Sequence, residues 1–158
     1  LFQSEPVESG FEVPRKNYFG DRWIRHGGWY PNHLVRLVRK DRARWSEPQV
    51  HEALMVKGAV GRLNAALDHP SFGGVYDQVN TNVRLSRLGM EDLRAKGKTG
   101  GIFQLVFKPW WKFMDAYLLK RGFLDGLPGF VIAVNAAHSM FMKYAALIEV
   151  SHEDSHHR

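Results

Sequence analysis

Apolar and polar positions alternate along the first third of the chain and change to helical spacing near residue 75. After a polar lead-in to Gly10, Phe11-Glu12-Val13 alternates and Tyr18-Phe19 resumes the pattern beyond Pro14. This predicts a strand or edge pair, because proline donates nothing to a ladder. Trp23-Ile24-Arg25 predicts a second extended piece, closed by a turn at Gly27-Gly28. Leu34-Val35-Arg36-Leu37-Val38 is β-prone, with Arg36 and Val38 on one face and Val35 and Leu37 on the other. From His51 to Leu63 no helical period holds, so strands joined by a tight turn are expected. Asp68 to Gly74 is punctuation before a helix.

Val75, Val79 and Val83 recur four apart, and Leu85, Leu88 and Leu93 widen the stripe. An amphipathic helix ending near Lys96-Gly97 is predicted, with Arg84, Arg87 and Arg94 on its wet face. A connector follows to Gly101. Residues 102–119 carry Phe103, Phe107, Trp110, Trp111, Phe113 and Tyr117 among lysines, and Pro109 starts or kinks this helix. Such a mixture suits either a helix lying in a bilayer interface or a cap on a core. Residues 130–150 are again apolar and helical in pattern. Asn135, His138, Ser139 and Lys143 weigh against a membrane span. The tail from His152 is polar. Together these elements predict an α+β fold: short, mostly antiparallel strands, then amphipathic helices.

The 158 residues suffice for one ordinary core, and the net charge of +6 favours anionic partners. With no cysteine, neither disulfides nor thiolate metal sites are possible. The run Arg39, Lys40, Arg42 and Arg44 is either a solvated hairpin end or a contact for phosphate groups. Gly97-Lys98-Thr99 lacks the earlier glycine of a phosphate loop, where the chain has Asp92. His51-Glu52 lacks the second histidine of a zinc protease, where it has Met55. Neither a helix-turn-helix, a zinc pair nor an aromatic RNA-binding motif is legible, and no nucleic-acid partner is expected.

The densest run of unusual residues lies between Gly27 and Glu52. There Gly28-Trp29-Tyr30-Pro31, Arg36-Leu37 and Val50-His51-Glu52, together with the later Arg121-Gly122-Phe123-Leu124-Asp125-Gly126, resemble family-two glycosyltransferases that build lipopolysaccharide cores. The resemblance runs from about residue 10 to 149 and covers the second half of such an enzyme. It implies the C-terminal part of a GT-A type α/β domain, with an acceptor-side catalytic half at 1–100, a helical membrane-proximal segment at 101–150 and a polar tail at 151–158.

The implied reaction moves a hexose from a nucleotide sugar, UDP-linked glucose being the expected donor, to a lipopolysaccharide-core or lipid-linked acceptor, with inversion. Glu52 would be the general base. A divalent cation, Mg or Mn, would be held mainly by a nucleotide-binding half with an Asp-x-Asp motif, which this sequence does not contain. The expected substrate-binding residues are His26, Gly27, Gly28, Trp29, Tyr30, Arg36, His51 and Asp125. Each has a structural alternative: core packing for Trp29 and Tyr30, a satisfied histidine for His26 and His51, helix punctuation for the loop around Asp125. Asn32 and Leu34 stand where relatives often carry Asp and Gln, which leaves the acceptor open. The expected location is the inner face of the plasma membrane, with peripheral contact through 102–148. A different class stays open: a non-catalytic basic and aromatic module on anionic membrane.

Overall fold

The computed structural model of the chain describes residues 6–45 and 54–156. Its sheet is built on β1 (Gly10–Phe19), with which β2 (Arg22–Trp23), β3 (Asn32–Val38), β6 (Val60–Arg62) and β7 (Leu67–Phe72) all pair. β3 and β2 run antiparallel to it, with Arg15 opposite Asn32 and Tyr18 opposite Trp23. β6 and β7 run parallel to it, with Glu12 opposite Arg62 and Asn17 opposite His69. A strand has two hydrogen-bonding edges, so β2 and β3 share one and β6 and β7 the other. β1 is therefore the spine of the sheet. The two parallel pairings were not foreseen, because alternation along one strand says nothing about the direction of its partner.

Pro14 does not bound the strand as expected. It sits inside β1, opposite His33, where the parallel partner changes from β6 to β7. A missing N–H interrupts least at such a junction. Apart from this sheet, β4 (Ala43–Trp45) and β5 (Leu54–Val56) form an antiparallel ribbon.

Three helices follow: α1 (Val75–Ala95), α2 (Ile102–Met114) and α3 (Gly126–His156). A π-helical turn (Asp115–Leu119) and a 3-10 turn (Gly122–Asp125) join α2 to α3. Pro109 lies inside α2 and does not start it. The backbone of the polar tail continues α3 to His156.

α1 occupies the predicted span with Arg84, Arg87 and Arg94 exposed as expected, but of the predicted apolar stripe only Val79 and Leu93 are half-buried. Gln78 and Ser86 are buried, while Val75, Val83, Leu85 and Leu88 are exposed. The reason is a polar seam with α3. Asn135 Nδ2 donates to Gln78 Oε1 at 2.7 Å, Asn82 Nδ2 donates to the Asn135 carbonyl at 3.1 Å, and the Ser139 hydroxyl donates to the Asn82 carbonyl at 3.4 Å. Buried polar groups that satisfy one another avoid the penalty that normally sends them outward. α1 thus packs chiefly against α3.

Candidate functional site

Two structures flank the turn that follows β2. The first is a buried clamp. Asp125, 4% exposed, accepts the backbone N–H of His26 at 2.7 Å and that of Arg25 at 3.2 Å. His26 Nδ1 lies 3.1 Å from the other carboxylate oxygen. A carboxylate can only accept here, so the proton of this contact sits on His26 Nδ1. Asp125, expected to contact substrate, is turned toward His26 and its loop.

Gly27 and Gly28 adopt φ of +66° and +82°, which side chains disfavour. Gly27 donates its N–H to the Lys120 carbonyl at 2.8 Å, bringing the turn against the π-helical segment. The cluster 121–126 meets this turn through Asp125.

The second structure is a cationic sheet face. Arg15 and Asn17 on β1 stand opposite Asn32 on β3 and opposite Leu67 and His69 on β7, so these side chains share one face. Arg36 is skipped where the register of β3 against β1 shifts, so it falls outside this alternating set, although its charge still acts on His69. Asn17 Nδ2 donates to the Trp29 carbonyl at 2.7 Å, and the Ser71 hydroxyl donates to Asn17 Oδ1 at 3.2 Å. Trp29 leans on Phe72 with ring centres 5.8 Å apart. Arg15, Asn17, Trp29, His69, Ser71 and Phe72 line a cavity of about 340 Å³, which Gly28 and Asn32 complete. Burial, then the charges of Arg15 and Arg36, hold the His69 pKa below 6.5.

Of the expected site residues, the fold brings Gly28 and Trp29 to this cavity and pairs His26 with Asp125. Tyr30 turns away, meeting Trp23 edge-on at 5.3 Å. Arg36 borders a neighbouring cavity with Glu12, Trp45 and Leu54. His51 and Glu52 lie outside the described residues. Arg15, Asn17 and His69 were missed. Their one sequence signal was alternation within strands, and only the parallel register joins them. Among the described residues no three His, Asp or Glu side chains converge to hold a metal ion.

The chain is similar to two curated proteins named as uncharacterized glycosyltransferases. One, from Rickettsia typhi, is 31% identical over 129 residues, covering 76% of this chain and 44% of that protein. The other, from Rickettsia prowazekii, is 30% identical over 94 residues, covering 60% of this chain and 32% of that protein. The chain thus spans less than half the length of the curated relatives it matches. No protein-family model matches it. No solved structure matches it either.

Proposed function

We propose that this chain is the acceptor-side part of an inverting glycosyltransferase, moving a hexose from a nucleotide sugar, with UDP-glucose the donor of choice, to a lipopolysaccharide-core or other lipid-linked acceptor. The observation that carries this reading is the similarity to glycosyltransferase-named proteins over 76% of the chain. The α+β architecture and the cavity walled by Trp29 beside a polar sheet face agree with it. The family-two assignment, the nucleotide donor and inversion come from the motif resemblance.

In the proposed reaction an acceptor hydroxyl attacks the anomeric carbon from the face opposite the diphosphate. The new glycosidic C–O bond forms as the bond to the diphosphate oxygen breaks, and the hydroxyl proton passes to the Glu52 carboxylate. Glu52 lies outside the described residues, and its role as base rests on the motif resemblance. Glu52→Gln in the intact gene product should lower turnover by about a hundredfold or more while leaving its circular dichroism unchanged, in line with a lost general base. Turnover within twofold of the parent protein removes Glu52 from the mechanism.

The acceptor is assigned to a membrane because the helices present an unusual surface. Ile102, Phe103, Val106 and Trp110 on α2 are 80%, 68%, 65% and 53% exposed. Beside them, burial and the neighbouring charges of Lys108 and Lys112 pull Lys143 below its ordinary pKa, against the opposing influence of Asp92. Aromatics next to clustered lysines suit the interface of an anionic bilayer on the cytoplasmic side. The stretch Gly122–His152, most of it in α3, is long and apolar enough to cross a bilayer, with mean hydropathy 1.3. Its buried bond from Asn135 to Gln78 favours peripheral packing against α1. The same surface serves a second reading, a non-catalytic membrane module, which a transfer assay on the intact gene product separates from the first.

A further inference from the structure

Where α1, α2 and α3 meet, helix residues alone line a cavity of about 240 Å³, with Asn82 from α1, Lys112 from α2, and Ser139 and Lys143 from α3 among them. Its wall holds two lysines and no carboxylate. Among the described residues neither Lys112 nor Lys143 makes an ion pair. The acids that would neutralise them are committed elsewhere. Asp115, three residues from Lys112, holds Lys120 at 2.6 Å, and Asp92, whose charge reaches Lys143, holds Lys96 at 2.7 Å. Lys143 is nevertheless drawn in. It is half-buried, its ammonium lies 5.1 Å from the Tyr144 ring centre, and a methyl group on Gly89 would come within 3.0 Å of its Cδ. Glycine inside a helix is destabilising relative to alanine, and here the space it frees lets the lysine stem cross α1 closely. Burial, then the charges of Lys108 and Lys112, pull the Lys143 pKa down, with Asp92 opposing. Like charges gathered at a partly desolvated cavity repel one another, and packing does not explain their convergence.

We propose that this interhelical cavity is a site for a small phosphomonoester, whose phosphoryl oxygens are held by the Lys112 and Lys143 ammonium groups and hydrogen-bonded by Ser139 and Asn82. Lysine binds phosphate as a point charge, so two ammonium groups converge on a tetrahedral anion without the fixed plane a guanidinium imposes. At neutral pH a phosphoryl group carries about two negative charges and offers several strong acceptor oxygens. The neutral donors are to hand. The bond from the Ser139 hydroxyl to the Asn82 carbonyl is a long 3.4 Å, and the Asn82 amide has a second N–H beyond the one given to the Asn135 carbonyl. Leu85 and Met140 give the cavity an apolar side, which suits an uncharged ester group. Its volume lies below the roughly 300–1,000 Å³ of pockets that hold larger ligands, which fits a glycerol phosphate and not a nucleotide. A soluble ester and the headgroup of phosphatidic acid share this chemistry. Binding there does not depend on the glycosyl-transfer reading.

The test is calorimetric titration of the intact gene product with glycerol 3-phosphate, with glycerol and acetate as controls. Glycerol 3-phosphate should bind and the controls should not, and Lys112→Gln and Lys143→Gln should each weaken it by about tenfold or more. Lys40→Gln removes the same charge from an exposed position outside the three helices and should leave affinity within about twofold. If Lys143→Gln fails to fold by circular dichroism, Lys112→Gln carries the test. Phosphatidylcholine vesicles containing phosphatidic acid, set against vesicles containing phosphatidylglycerol, separate the sources. Displacement of glycerol 3-phosphate by phosphatidic acid alone assigns the site to a lipid headgroup, and displacement by neither assigns it to a soluble ester. Displacement by both alike means charge attraction without a site and overturns the proposal. So does the absence of binding at millimolar concentration, equal binding of acetate, or a loss in Lys40→Gln as large as in the site variants. These readouts need no donor sugar, so their failure leaves the glycosyl-transfer reading standing, and failure of that reading leaves the site.

Discussion

Asp125 is the residue on which the turn after β2 depends, since its two oxygens receive two backbone N–H groups and a histidine nitrogen from a segment a hundred residues away. Asp125→Ala would strand those donors in a buried place and should cost about 3 kcal/mol, read as a lower urea midpoint. An unchanged midpoint would mean that the clamp holds nothing together. His69 gives a pH signature of its own. Its folded pKa lies below the ordinary 6.5, so the unfolded chain takes up a proton more readily. Its contribution to stability is complete above 6.5 and is lost as pH falls through the folded value. Thermal melts of parent and His69→Gln should therefore diverge between neutral pH and pH 5, with the parent losing more; parallel curves would contradict this.

At the scale of elements, the seam between α1 and α3 is polar where such seams are normally apolar. Gln78→Ala leaves the buried Asn135 amide unpaired and should cost about 1–3 kcal/mol in urea unfolding, a larger loss than Val83→Ala on the exposed face. The joint beneath it is tight in another way: a Cβ on Gly129 would collide with the Gly122 carbonyl oxygen. The span of α1 was legible because 3.6-residue spacing marks any amphipathic helix. Its orientation was not, since periodicity gives a stripe and assumes that the apolar side faces in. The glycine pair was likewise legible as a turn, and the structure gives both residues positive φ. Arg15 and His69 were not legible as partners. They sit more than fifty residues apart, and only the parallel pairing of β1 with β7 joins them. The tie from Asp125 to His26 is equally non-local, so the sequence offered each residue singly and with an alternative role.

For the molecule as a whole, the exposed aromatic ridge of α2 and the lysines beside it make a directional surface. Trp110→Asp should reduce flotation with phosphatidylglycerol vesicles severalfold and leave folding intact, because an interfacial aromatic is replaced by a charge. Flotation that ignores both this change and lipid charge would contradict a bilayer contact. Yet the surface alone does not make an enzyme, and the chain spans 44% of its Rickettsia typhi relative. The decisive measurement is therefore made on the intact gene product, supplied with UDP-glucose labelled in the sugar and with lipid extract from the source organism. The account predicts label entering the lipid fraction in an inverted, β-linked form. Label that stays on the nucleotide, or appears in lipid with retained configuration, would contradict it.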